Sequence, residues 1–256
     1  MRGTMNKHIE SFHLLHKKDR PLFLYNIWDA GTAKILATNG AEAIATSSWS
    51  VAEAQGYTDG QSMPFDELLV VVKNIVKAVN LPVTVDFESG YAQELKAVCK
   101  NFSALIDVGV AGVNFEDQNI SEGSIFGIEE QSERITALRK TADKMGVNVF
   151  INARTDIFLQ EGDQNKHTNL LEAVIHRGRA YREAGANGFF IPSTTDHYLI
   201  KQVCSAVDLP VNIMDLSSKP DLQAYSKSGV SRVSIGPKSW IEFCGQLKDK
   251  AIAIYR

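Results

Sequence analysis

The chain has 256 residues, 44% hydrophobic and 22% charged, with a formal net charge of -3. That is an ordinary soluble globular composition, and a (β/α) barrel of this length is commonly one domain. The balance excludes a basic footprint for nucleic acid, no Lys/Arg-rich run suggests an anionic membrane surface, and small-molecule chemistry is the default.

Cys99, Cys204 and Cys244 are scattered, with no C-x-x-C pair, which fits thiols in a reducing compartment rather than a disulfide framework or a zinc knuckle. The first 20 residues hold no long apolar run, so neither a signal peptide nor a membrane span is expected and the cytoplasm is the expected location. Within them Ile9, Phe12 and Leu15 fall near helical spacing and predict a lead-in helix over 6–18, ended by Asp19-Arg20-Pro21. Eight short apolar strands follow, at 22–28, 43–48, 83–88, 112–117, 149–156, 188–193, 210–214 and 232–236. Amphipathic helices are predicted between and after them, at 31–39, 65–79, 93–108, 129–145, 169–184, 197–207, 221–228 and 239–255.

Such alternation calls for a parallel sheet with right-handed crossovers, and eight repeats close it into an α/β fold of the (β/α)8 TIM-barrel type. Glycines at Gly40, Gly109 and Gly185 sit where a helix must turn into the next strand. A doubly wound open sheet is the competitor, but the turn after Trp28 reads DAGTA and lacks the dinucleotide fingerprint. No low-complexity linker divides the chain, so residues 1–256 are expected to form one domain, with its N-terminal helix in 1–20 and its last helix at 239–255. Long strand-to-helix connections at 49–64, 118–128 and 160–168 belong on the catalytic face of a barrel.

The third predicted strand reads VTVDFESGY and carries Asp86 and Glu88 two positions apart. Side chains alternate faces on a strand, so both carboxylates are expected on one face and Val85 and Phe87 on the other. Such a pair calls for a divalent cation such as Mg²⁺, or for an ion pair with a nearby Arg or Lys. Asn114 and Glu116 share that parity on the fourth strand, Asn152, Arg154 and Asp156 on the fifth, and Asn212 comes from the seventh. So many polar groups belong at the open end of a barrel rather than buried against its helices. There the carboxylates can hold Mg²⁺, directly or through its waters. Arg154 offers a planar fork to a substrate carboxylate or phosphonate, or pairs with Asp156 or Glu116. Asn152 and Asn212 join the site or merely satisfy backbone. Ser47 and Ser48 present backbone N–H groups to an anion, or form a capping turn. Asp59 in GYTDGQ is a lid acid or base, or part of an Asp-Gly turn.

The segments NIWDAGTAKI, IATSSWSVAEAQGYTDG, LPVTVDFESGY, GVNFEDQ, INARTD and PVNI together resemble the phosphoenolpyruvate mutase/isocitrate lyase superfamily, especially its short phosphonomutase-like members, from Phe23 to Gly236. The resemblance implies a (β/α) barrel, Mg²⁺, and 2-oxo acid substrates that react through a metal-bound enolate. By the same resemblance Asp86, Glu88 and Glu116 hold the metal, and the Ser47-Ser48 turn holds substrate oxygens. Arg154 grips the substrate, Asp59 is the acid of a mobile loop, and Asn212 within PVNI is a further substrate-binding candidate. The last helix is often exchanged between subunits in this superfamily, so a homo-oligomer is expected, a dimer or a dimer of dimers. The alternative is a helix packed on its own barrel.

The departures bear on the reaction. Isocitrate and methylisocitrate lyases carry a Lys-[Lys/Arg]-Cys-Gly-His segment after the acidic strand, whereas DQNISEGSIFGIEE here contains no Cys, His or Lys. The Lys that phosphonopyruvate-processing members carry in this loop is missing too, and Pro192 and Ser193 stand where relatives place a His or a Glu. The expectation is a cytoplasmic, Mg²⁺-dependent enzyme acting on a small 2-oxo acid or related carboxylate by C–C cleavage or decarboxylation, without that Cys. The alternative is a phosphoenolpyruvate phosphonomutase or P–C bond hydrolase. From another class comes a barrel that binds a dicarboxylate or metal without turnover. Lys238 in SIGPKS makes a faint phosphate turn for a nicotinamide-dependent barrel, although the same turn is needed to enter the last helix.

Overall fold

The structure, a computed structural model, describes residues 2–256. Its first extended run is split at Tyr25 into β1 (Leu22–Leu24) and β2 (Asn26–Ile27). The other barrel strands are β3 (Ile44–Thr46), β4 (Val83–Asp86), β5 (Gly112–Glu116), β8 (Phe150–Arg154), β9 (Gly188–Ile191), β10 (Val211–Met214) and β11 (Val230–Ser234). They pair in parallel in the order β1-β11-β10-β9-β8-β5-β4-β3-β2. Because β1 pairs with β11 and β2 with β3, the split run joins the two ends of the sheet and closes the expected barrel. Most strands are buried on both faces, as parallel strands covered by helices must be.

The outer layer comprises α2 (Ala30–Thr38), α4 (Phe65–Ala78), α5 (Leu95–Val108), α6 (Ile128–Lys144), α8 (His167–Glu183), α9 (His197–Ala206), α10 (Leu222–Lys227) and α11 (Lys238–Tyr255). Their sequence logic is local. In α4, Leu68, Val72 and Ile75 recur on one buried stripe, and Asp66 and Glu67 occupy the first turn, where the helix dipole favours anions. The start of α2 is a capping box, with Asp29 accepting from Thr32 N at 2.7 Å. Helix α1 spans Arg2–Leu15 rather than 6–18, and Met5, Ile9, Phe12 and Leu15 are its residues that pack on the core.

Helix α1 plugs the bottom of the barrel. Phe12 meets Phe150 edge-on at 5.4 Å, and the His16 ring stacks on Phe150 at 4.1 Å. Gly112 makes room for this plug: a Cβ there would lie 2.9 Å from Phe12 and 3.0 Å from the Phe150 carbonyl.

Three elements on the opposite face are not visible in the sequence pattern. Helix α3 (Ser48–Ala54) occupies the start of the 49–64 connection, α7 (Ile157–Gln160) follows β8, and the 118–128 connection folds as a hairpin of β6 (Gln118–Asn119) and β7 (Ser124–Ile125). Each is too short for apolar periodicity to register. No helix among the described residues is long and apolar enough to cross a membrane.

Candidate active site

The C-terminal ends of β4, β5 and β8 bring the polar residues together. Asp86 is the last residue of β4. Its Oδ2 accepts from Ser48 N at 3.2 Å, and its Oδ1 accepts from Asn114 Nδ2 at 3.4 Å. Below it runs a floor of amides, in which Asn152 Nδ2 donates to Asn114 Oδ1 at 2.9 Å and to Asn212 Oδ1 at 3.0 Å. Asn212 Nδ2 donates to Ile213 O at 2.7 Å, so this side chain lies in the core, engaged at both ends.

Strand alternation does not place Glu88. The strand ends at Asp86, and Glu88 has φ +47°, within a turn where Gly90 and Tyr91 also have positive φ. Glu88 O still accepts from Glu116 N at 2.9 Å, which keeps the two acidic residues side by side. Gly90 is required in this turn, since a Cβ would lie 2.5 Å from Val98 Cγ1. Buried Arg134 holds the turn by donating to Ser89 O at 2.6 Å, with its guanidinium 4.3 Å over the Phe126 ring. Gln61 Nε2 donates to Ser89 Oγ at 2.5 Å and latches the Asp59 loop onto the same turn.

Arg154 makes both of the ion pairs weighed for it. Its Nε and Nη2 meet Asp156 at 2.6 and 2.8 Å, and its Nη1 meets Glu116 at 2.9 Å. Asp156 lies beyond the end of β8, at the N-terminus of α7, and turns back to accept this fork. Burial alone would lower the Arg154 pKa, but Glu116 and Asp156 outweigh it and hold the guanidinium well above its usual range. Burial pushes Glu88 up to about 8, against the hydrogen bond from Tyr91 Oη at 2.5 Å, with Asp59 and Asp86 adding to the rise. Burial also raises Glu116, opposed by Arg154, and it raises Asp59, where Asp86 adds to the effect. Burial is the first cause in each case, and the neighbouring carboxylates add to it.

A family profile described as phosphoenolpyruvate phosphomutase matches residues 12–255, nearly the whole chain. The chain belongs to the phosphoenolpyruvate phosphomutase family. A Burkholderia cenocepacia J2315 protein provisionally named a phosphonomutase is 40% identical, with a TM-score of 0.92 over 96% of this chain and 97% of that one. The 2-methylisocitrate lyase of Escherichia coli K12 is 28% identical over 219 residues, 82% of this chain and 71% of the relative. The phosphoenolpyruvate phosphomutase of Streptomyces hygroscopicus is 30% identical over 178 residues, 66% of this chain and 54% of the relative. The phosphoenolpyruvate mutase/isocitrate lyase resemblance is thereby confirmed, and an enzyme of the lyase or mutase kind is supported.

Within this phosphomutase-family barrel, Ser47 forms the capping turn, its Oγ accepting from Ser50 N at 3.4 Å, while Ser48 turns its N–H to Asp86. Asp59 lies near enough to Asp86 for their charges to interact. Sequence reasoning missed Tyr91, which holds Glu88, and Arg232, whose guanidinium is wholly buried in the barrel. Burial lowers Arg232 to about 9, and the charge of Asp86 partly compensates. The adjacency of Tyr91 to ESG was a usable signal. Arg232 left none, because it sits in an ordinary strand pattern.

Proposed function

We propose that this protein is a Mg²⁺-dependent enzyme of the cytoplasm that acts on a small 2-oxo acid or related carboxylate through an enolate, by C–C bond cleavage or decarboxylation. The observation that carries this reading is the gathering of three buried acidic residues, Asp86, Glu88 and Glu116, at the barrel mouth, with Glu116 N on Glu88 O at 2.9 Å and Arg154 paired to Glu116. Oxygen donors of this kind fit a hard divalent cation. Among the described residues no three acidic, His or Cys side chains are gathered as a ready cage. The fit is therefore to an ion held by Asp86 and, directly or through its waters, by Glu88 and Glu116, since Mg²⁺ keeps several waters. When bound, such an ion supplies electrostatic stabilisation of negative charge on a substrate oxygen.

The protein groups do the rest. Arg154, gripped by two carboxylates, keeps N–H groups on Nη1 and Nη2 for a substrate carboxylate, and its fixed orientation means little reorganisation on binding. Asp59, on its latched loop, is placed to exchange a proton with the substrate, and its raised pKa suits that role. Ser47 and Ser48 line the same end, and Asn212 supports the floor beneath. The three thiols are unpaired, which supports a reducing compartment.

A phosphonomutase or P–C hydrolase activity is the second reading. The 40% identity to a protein provisionally named a phosphonomutase favours it, and the Lys-free 118–128 connection disfavours it. Calorimetric titration with oxalate, a stable mimic of a two-oxygen enolate, tests the shared core of both readings. Binding should require Mg²⁺ and should vanish in Asp86→Asn; binding indifferent to both would sink the metal site. A screen of 2-oxo acids and phosphonates, scoring pyruvate-type product against phosphate, then separates the two.

A further inference from the structure

Asp117 faces away from its neighbour Glu116, into the layer between the barrel and α8, and is fully buried. Its Oδ2 accepts from Arg177 Nη1 at 3.0 Å and from Tyr181 Oη at 2.9 Å, and Tyr181 Oη accepts in turn from Arg177 Nη1 at 2.8 Å. Two segments of the mouth hang on this group. Arg177 Nη1 reaches Phe126 O at 2.9 Å and Phe126 N donates to Asp117 O at 2.7 Å, which ties down the chain just after the hairpin. Asp117 Oδ1 accepts from Asp156 N at 3.0 Å, and the Asp156 carboxylate holds the Arg154 fork. Asp117 N also donates to Arg154 O at 3.1 Å.

We propose that Asp117, Arg177 and Tyr181 are positioning residues that fix Arg154 and the 118–128 hairpin as one unit. The proposal rests on the reading that Arg154 takes the substrate's carboxylate. Its physical basis is that neither segment can shift alone without leaving a buried donor or acceptor unpaired. A carboxylate seated on Arg154 therefore steadies the hairpin, and a loosened hairpin weakens the grip of Arg154.

The test measures oxalate affinity with Mg²⁺ and amide exchange of the hairpin in wild type, Tyr181→Phe, Arg177→Lys and Val174→Ala. Val174 is a buried α8 residue outside the network, and its variant controls for lost stability alone. Tyr181→Phe removes one hydrogen bond and is the variant least prone to unfold. It should keep a native circular dichroism spectrum, bind oxalate roughly fivefold more weakly and exchange faster in the hairpin, with a larger effect in Arg177→Lys. Val174→Ala should lose thermal stability without losing affinity. Network variants that bind oxalate within about twofold of wild type, or a control that loses as much affinity as they do, would overturn the proposal. If wild type itself binds no oxalate, the functional reading fails separately, and exchange without ligand then decides. Faster exchange in the hairpin and around Asp156 together supports the shared anchor, and changes confined to α8 refute it.

Discussion

Replacing Arg154 by Lys keeps the charge and removes the fork that meets Asp156 at 2.6 and 2.8 Å. Asp156 and Glu116 would then be left partly unpaired in a buried site. Arg154→Lys should weaken oxalate binding by about 2 kcal/mol, near thirtyfold, which calorimetry can check, and it should lower the melting temperature as well. His16 offers a pH test far from the mouth. Its Nδ1 hydrogen-bonds Phe12 O at 2.8 Å, its ring stacks on Phe150, and burial, aided by the charge of Arg232, lowers its pKa to about 3. The unfolded chain takes up a proton near pH 6.5 that the native ring refuses. The stability tied to neutral His16 is therefore complete above that pH and is lost as pH falls towards 3, at a slope of at most about 1.4 kcal/mol per pH unit. His16→Gln should flatten the acid limb of stability in urea titrations between pH 6.5 and 4, and an unchanged limb would count against a buried neutral ring.

Among the elements, the close contact of α1 with the barrel floor is one that the sequence does not imply. Gly112 on β5 leaves room for the Phe12 ring and the Phe150 carbonyl, and neither backbone nor plug can retreat easily. Gly112→Ala should destabilise the fold by about 1–3 kcal/mol in urea unfolding, while a double variant with Phe12→Leu should recover part of that loss. At the other end, the turn after β4 holds three residues at positive φ, steadied from α6 by Arg134 and from the Asp59 loop by Gln61. The carboxylate of Glu88 is thus aimed by a turn and its supports, not by strand pleat.

For the whole molecule, α11 sets the question of assembly. Trp240 and Phe243 pack on Trp28 at 5.0 and 5.3 Å, while Ile241, Leu247, Ile252 and Ile254 remain exposed along the same helix. Large apolar residues repeated on one exposed helix favour association. Sedimentation is expected to show a dimer or a dimer of dimers that Ile241→Glu with Leu247→Glu reduces to monomer; a wild type that sediments as monomer contradicts this. The sequence alone determined the barrel, because its alternation of apolar runs and amphipathic stretches, with glycine at helix ends, is set by local backbone geometry. It also drew Asp86, Glu88, Glu116 and Arg154 into one group, since polar residues at strand ends have few other places to go, whereas Asp59 joined them only through the family resemblance. Only the tertiary structure decided how these charges are shared. Arg154 pairs with both Glu116 and Asp156, Asp117 reaches across the chain to Arg177 and Tyr181, and Arg232 lies within the closed barrel. The partners of Asp117 lie on an element distant in sequence, and a hydrogen bond or ion pair depends on the distance that barrel closure and helix packing impose, which no local periodicity encodes.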